Sequence, residues 1–194
     1  KKCYDYVQKL FINHFIKNAS AFITLTDGDR NEWLNVRKDI FVIPNSVGKY
    51  PKILAQKKSQ KKIITVGRLE QQKGYDLLIQ AWKLVEEKHS DWELNIYGEG
   101  SNKNSLIKLI HSLKISSIKI NEPTKKIFDQ YEKSDFYIMS SRYEGFPLVL
   151  IEAMAYGLPC ISFNCDYGPS DIIKNGIDGF LIENGNIKSL ADKI

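Results

Sequence analysis

From Lys62 onward, short apolar runs alternate with stretches of helical periodicity. That alternation restricts the chain to βα units around a parallel sheet more tightly than any other feature. The runs are "KIITV" (62–66), "ELNIY" (93–97), "IKI" (118–120), "DFYIM" (135–139), "PCISF" (159–163) and "FLI" (180–182). Most are closer to continuous than to alternating, as burial on both faces requires. Between the first two, Leu77, Leu78, Ala81, Trp82 and Val85 share one face of a 3.6-residue period, which predicts a helix over 75–89. Further helices are expected in "SLIKLIHSLKI", in the short "IFDQY" and in the nearly all-apolar "LVLIEAMAY", which must be buried.

The front of the chain differs. "KKCYDYVQKLFINHFIKN" is amphipathic through Cys3, Tyr6, Val7, Leu10, Phe11 and His14, and leads to a strand "AFITL", a short helix and a strand "IFVIP". That piece is too small to close its own core, and the first residue is a lysine rather than a methionine. The expectation is therefore an α/β protein with a doubly wound parallel sheet. Residues 1–47 would be the tail of an upstream lobe, 48–61 the interlobe linker, and 62–194 the principal domain.

The chain's 194 residues, 43% hydrophobic and 26% charged, suit one globular domain plus part of another. No run approaches the roughly 20 apolar residues of a membrane span, and the N-terminus lacks the order of a signal peptide. Cys3, Cys160 and Cys165 are an odd set without metal-ligand rhythm, which predicts reduced structural thiols in a cytoplasmic setting. The net charge is +5, part of it in "KILAQKKSQKKI" (52–63). Such a run reads as a solvated linker, its functional alternative being attraction to an anionic membrane surface. Nucleic acid is disfavoured as a partner, because no aromatic residue is interleaved for base stacking. His14, His89 and His111 are scattered over helices and read as surface or packing residues.

In a doubly wound sheet, ligands sit beyond the carboxyl ends of the strands, so the loops there carry the chemistry. In "VGRLEQQKG" (66–74), Gly67 permits close backbone approach, and Arg68 and Lys73 place two cations beside a helix start, a setting for phosphate. It lacks P-loop spacing. "YGEGS" (97–101), with Gly98, resembles the start of a dinucleotide fingerprint but has Lys103 where its third glycine belongs.

In "SSRYEGFPLVLIEAMAYGLP" (140–159), Gly145 lets the backbone approach a ligand and Pro147 supplies the φ of a first helical residue. Gly157 and Pro159 then stop the helix. The free N–H groups at its start can hold a diphosphate. Glu152 lies about five residues in, where a carboxylate among Leu150, Ile151, Ala153 and Met154 needs donors. Those donors are ribose hydroxyls on the functional reading, or a backbone N–H or Arg on the structural one.

Taken in order, "GRLEQQKG", "GEG", "SRYEGFPLVLIEAMAYGLPCI" and "GPSDIIKNGIDGFL" resemble the C-terminal donor-binding lobe of the retaining, nucleotide-sugar-dependent glycosyltransferases of GT-B architecture, the group 1 (family 4) class. The likeness covers Lys62 to Ile194, and "VIPNSV" (42–47) resembles the end of the N-terminal, acceptor-binding lobe. On this resemblance the last helices of the donor lobe fall beyond residue 194.

The resemblance implies that Arg68 and Lys73 bind the donor diphosphate, Glu152 the ribose, and Glu144 the transferred sugar near its reacting carbon. Gly67, Gly98 and the backbone of Gly145, Phe146, Pro147 and Leu148 would line the donor. It implies a hexose-type donor on a nucleoside diphosphate and a hydroxyl acceptor, a glycan or lipid-linked saccharide of polysaccharide synthesis, at or near the inner membrane face. No metal or other cofactor is implied, since two cations and a helix dipole can offset the charge growing on the departing diphosphate. The loop "INEPTKK" lacks the glycine usual in the class, leaving the base open, and most of the acceptor lobe is absent. This chain alone is therefore expected to bind donor without efficient transfer.

Two rivals are weaker. "DGD" (27–29) mimics an Asp-x-Asp metal motif, but sits where an Asp would cap a short helix beginning near Asp29. Glu144 and Glu152 could serve as an inverting hydrolase pair, yet a plain glycoside has no phosphate for Arg68 and Lys73 to hold.

Overall fold

A computed structural model describes residues 2–48 and 59–194, with side chains from Leu10 onward, and the chain forms two compact units, Lys1–Asn45 and Ser46–Ile194. The expected linker (48–61) and the basic run (52–63) lie largely outside the described residues.

The first unit runs α1 (Lys2–Asn18), β1 (Phe22–Thr24), α2 (Asp27–Trp33) and β2 (Ile40–Val42), with β1 and β2 paired in parallel. On the expected stripe of α1, Leu10 and Phe11 are exposed, whereas Ile16, outside that stripe, is buried. The carboxyl end of α1 is held by Arg37, which donates to the carbonyls of Ile16 and Ala19 at 3.2 and 2.5 Å while pairing with Asp39. A cation there complements the helix dipole.

The "DGD" reading needs correction in its detail. The helix starts at Asp27, and the cap is Thr26, whose extended backbone lets its hydroxyl accept from the Asp29 N–H at 3.0 Å. Asp29 accepts from the Trp33 indole at 3.0 Å, and Asp27 pairs with Arg30 at 3.1 Å.

The second unit runs β3 (Lys62–Val66), α3 (Tyr75–Glu86), β4 (Glu93–Tyr97), α4 (Lys103–Ser112), β5 (Ile118–Asn121), α5 (Ile127–Glu132), β6 (Phe136–Met139), α6 (Leu148–Ala155), β7 (Cys160–Asn164), α7 (Pro169–Ile172), β8 (Gly179–Glu183) and α8 (Ile187–Lys193). All six expected strands form one parallel sheet of order β5-β4-β3-β6-β7-β8. The short helices α7 and α8 were not foreseen. From β3 the chain winds outward through β4 and β5, then returns to the other side of β3 as β6. The crevice of such a sheet opens at that reversal, between the carboxyl ends of β3 and β6.

Successive residues of β3 feed opposite layers. Ile63 joins Leu78, Trp82, Leu94, Ile138 and Phe163 under α3, α4 and α8, while Ile64 joins Tyr131, Tyr137, Leu150 and Ala153 under α5 and α6. Strand β4 departs from the continuous pattern. Leu94 and Ile96 are buried, but Glu93, Asn95 and Tyr97 are half-buried on the face where the six-residue α5 stands. A helix that short covers only part of a strand, so polar side chains persist there.

Candidate active site

Three loops at the carboxyl edge are fastened to one another, with the loop after β3 in the middle. Toward β4, the Leu69 N–H donates to the Glu99 carbonyl at 2.7 Å and the Asn102 N–H to the Leu69 carbonyl at 2.9 Å. Glu70 takes the N–H and hydroxyl of Ser101, both at 2.8 Å, and these bonds hold its carboxyl below the usual range. A Cβ on Gly98 would lie 1.9 Å from the Gly67 carbonyl oxygen, so only glycine permits this approach.

Toward β6, the fastening is stronger. The Arg142 guanidinium grips both oxygens of Asp76 at 2.8 and 2.6 Å and donates to the Gln71 carbonyl at 2.7 Å. Its own N–H donates to the Gln72 carbonyl at 2.7 Å. The Gln72 side chain reaches the Tyr143 carbonyl at 3.0 Å, and the Ser140 hydroxyl reaches the Lys73 carbonyl at 2.9 Å. Gly74, at φ 63, starts α3, and a Cβ there would sit 2.0 Å from the Ser140 carbonyl oxygen.

This framework brings two of the expected residues together. Lys73 Nζ lies 2.6 Å from Glu144 Oε1, and the side chains are only 16% and 8% exposed. Beside them is a cleft of about 270 Å³ lined by Val66, Gly67, Arg68, Tyr97, Gly98, Glu99, Pro123, Thr124 and Ile127. Gly67 connects the two, since a Cβ there would touch the Lys73 side chain at 3.2 Å and the Tyr75 hydroxyl at 3.0 Å. Arg68 rests on Gln72 at 3.3 Å. A larger groove of about 320 Å³, lined by Met154, Leu158, Pro159, Ile177 and Phe180 among others, opens at the amino edge, away from these charges.

The turn "EGFP" is supported from behind by Gly168 at φ 92, where a Cβ would strike Pro147 Cδ at 2.4 Å. Around Gly145 itself the space is open, with nothing within 4 Å of a Cβ. Pro147 is the N-cap, with ψ 96 outside the helical range, rather than the first helical residue as expected; α6 begins at Leu148 and its end is followed by Gly157 at φ 73.

Glu152 is the fifth residue of α6. Its donor is neither of the two structural partners expected from the sequence. It is the Tyr131 hydroxyl, 3.2 Å from Oε2. Burial raises its pKa above the ordinary carboxylate value, opposed by that hydrogen bond. Cys160 and Cys165 are buried free thiols, and burial pushes them up to about 12 and about 11, so neither is a nucleophile at neutral pH. His14, His89 and His111 are exposed, as expected. Among the described residues no group of three or more His, Cys, Asp or Glu could hold a metal ion.

The sequence reading missed Arg142, Asp76, Ser140 and Tyr131. The signal available for the first was its place in "SRYEG", one residue before the Tyr-Glu pair. Nothing local pointed to the others.

The model of the family described as glycosyl transferases group 1 matches residues 46–194. The chain belongs to that family. It is 35% identical over 179 residues to an uncharacterized glycosyltransferase of Haemophilus influenzae, covering 91% of this chain and 51% of that protein. It is 36% identical over 176 residues to the amylovoran biosynthesis glycosyltransferase AmsD of Erwinia amylovora, covering 85% and 48%. A Staphylococcus aureus TarM structure with UDP, α-GlcNAc-glycerol and Fondaparinux matches with a TM-score of 0.86 and 33% identity over 95% of this chain and 38% of that one. The pneumococcal O-GlcNAc transferase GtfA, with UDP and GlcNAc, matches with a TM-score of 0.80 and 25% identity over 93% and 39%. The chain thus spans about half the length, or less, of these relatives. Its α/β architecture is that of GT-B glycosyltransferases.

Proposed function

We propose that this chain is the donor-binding part of a retaining glycosyltransferase that moves a hexose-type sugar from a nucleoside diphosphate to a hydroxyl acceptor on a glycan, polysaccharide or lipid-linked saccharide. The observation that carries this reading is the enclosed Lys73–Glu144 pair at the switch point beside the Gly67 and Arg68 cleft. An ammonium has three donors, so Lys73 can hold Glu144 with one and a phosphate with the others. Glu144 is then held still next to the sugar's reacting carbon. Arg68 and the open N–H groups of α6, approached past Gly145, take the rest of the diphosphate. Gly98, Phe146, Pro147 and Leu148 shape the wall around it.

As the glycosidic bond breaks, negative charge grows on the departing nucleoside diphosphate, and groups fixed before the reaction stabilise it at no reorganisation cost. No metal is invoked, because Arg68, Lys73 and the helix dipole supply the opposing charge. UDP in the solved relatives makes a UDP-sugar the first donor to test. The reading places the protein in the cytoplasm, with peripheral contact at the inner membrane face. Among the described residues no helix is long and apolar enough to cross a membrane.

A second reading is a nucleotide-sugar-binding module without activity by itself. The modest share of each relative that the chain spans favours it for these 194 residues, because transfer needs donor and acceptor oriented together. Calorimetry with UDP and UDP-sugars tests donor binding, and radiolabelled transfer to a glycan acceptor separates the two readings. Arg68→Ala is expected to weaken UDP about 10- to 150-fold, the worth of a charge-assisted contact. Unchanged affinity would remove Arg68 from the site.

A further inference from the structure

Tyr131 is the one aromatic hydroxyl described as donating to a candidate site carboxylate, and its ring has little freedom. It is 0% exposed, stands edge-on to Tyr137 at 6.2 Å between centroids, and packs against Tyr156 at 5.9 Å and Phe128 at 6.2 Å. Phe128 and Tyr156 are themselves stacked at 5.3 Å. The hydroxyl is therefore a fixed point, anchored on α5 and β6, from which it donates to Oε2 of Glu152 on α6. Glu152 is only half-buried, and no hydrogen bond to its Oε1 is described.

We propose that Tyr131 is a positioning residue for nucleotide recognition: by holding one oxygen of Glu152 it fixes the carboxylate and leaves the other to accept from the hydroxyls of a ribose. This rests on the assignment of Glu152 to the ribose. An unheld glutamate would lose side-chain freedom on each binding event, a cost that a hydrogen bond present beforehand removes from the affinity. A second effect follows from charge. Burial raises the pKa of Glu152 and the Tyr131 hydroxyl lowers it, so the tyrosine keeps the carboxylate ionised to more acidic pH. The other titratable groups around the Tyr131–Glu152 pair are Tyr156 just after α6, Tyr137 of β6, Cys160 of β7 and Tyr75 of α3, with exposed Asp129 and Glu132 of α5 near Tyr156. All are retained when the hydroxyl of Tyr131 is removed, so a difference between wild type and Tyr131→Phe reports on that hydroxyl.

The test measures binding of UDP, 2′,3′-dideoxy-UDP and inorganic pyrophosphate by calorimetry across pH, in wild type, Tyr131→Phe and Glu152→Ala. Tyr131→Phe keeps the ring and its packing. It is expected to weaken UDP about three- to tenfold, the range of one ordinary hydrogen bond, while leaving pyrophosphate unchanged. It should also move the acid limb of UDP affinity to higher pH. Glu152→Ala is expected to abolish the preference for UDP over the dideoxy analogue.

If Tyr131→Phe binds UDP like wild type with the same pH profile, or loses UDP and pyrophosphate alike, the positioning role is overturned while Glu152 keeps its assignment. If Glu152→Ala retains the preference for UDP over the dideoxy analogue, the ribose assignment falls and this inference with it.

Discussion

Arg142 and Asp76 are 66 residues apart in sequence, yet their side chains meet as a two-point ion pair at 2.8 and 2.6 Å. The pair joins the loop after β6 to the first turn of α3, and so sets the distance between Lys73 and Glu144. Planar, forked donors match a carboxylate in a way an ammonium cannot. Arg142→Lys is therefore expected to recover the charge but not the spacing, and to lower donor affinity nearly as much as Arg142→Ala. Full affinity in the lysine variant, measured by calorimetry, would show that charge alone suffices.

The same pair carries a pH signature. Arg142 holds the Asp76 carboxyl below its usual range, so the folded pKa is depressed relative to the unfolded one. Its stabilisation is fully present above the unfolded value, about 3.9, and is lost as pH falls through the folded value. Because the side chains are 30% and 41% exposed, screening keeps the effect modest, about 1 kcal/mol at neutral pH. Urea unfolding of wild type and Arg142→Met should differ at pH 7 and begin to converge only below about pH 4, as pH falls toward the depressed folded value. A gap that stays constant into acid would assign the loss to packing.

Lys73 and Glu144 are more enclosed. Removing one partner strands a buried charge, so Lys73→Ala is expected to cost about 3 kcal/mol of stability. The double variant Lys73→Met with Glu144→Gln should regain most of that while failing to bind a UDP-sugar. A Lys73→Ala protein with the wild-type urea midpoint would mean the pair is solvated in solution.

Three glycines separate framework from ligand space. Gly98→Ala and Gly74→Ala place a Cβ 1.9 and 2.0 Å from backbone oxygens, so each should destabilise the protein by about 2 kcal/mol or more. At Gly145 nothing lies within 4 Å of a Cβ, so Gly145→Ala should change stability by no more than about 0.5 kcal/mol. It should nonetheless weaken donor binding, because the proposed function gives that open space to the donor. Thermal melts with and without UDP distinguish the two classes, and equal ligand stabilisation in Gly145→Ala would remove the turn from the site.

Charge offset without metal is testable directly. UDP affinity should be unchanged by a chelator and by added magnesium, and a tenfold gain with magnesium would require a metal in the donor complex.

Much of this protein could be read from one dimension. Burial on both faces demands continuous apolar strands, and one-sided burial demands a 3.6-residue stripe, so the six strands of the main sheet and the helix carrying Trp82 were visible as patterns. Glycines and cations after β3, and two glutamates around Pro147, pointed to the loops at the carboxyl edge as the candidate site because their spacing is local. The alternating β4 was less legible: its polar face reflects the shortness of α5, a fact about another element. The Thr26 cap and the extended Pro147 were missed because a cap depends on one backbone torsion that several residue types allow.

Sequence by itself determined the parallel α/β sheet and which glycines, cations and glutamates gather in the loops at its carboxyl edge, since periodicity and short-range spacing act along the chain. Only the tertiary structure decided that Lys73 faces Glu144, that Arg142 braces Asp76 and that Tyr131 holds Glu152. Those partners lie 71, 66 and 21 residues apart, and such pairs are set by strand order and close packing, which bring distant residues together without leaving any mark between them.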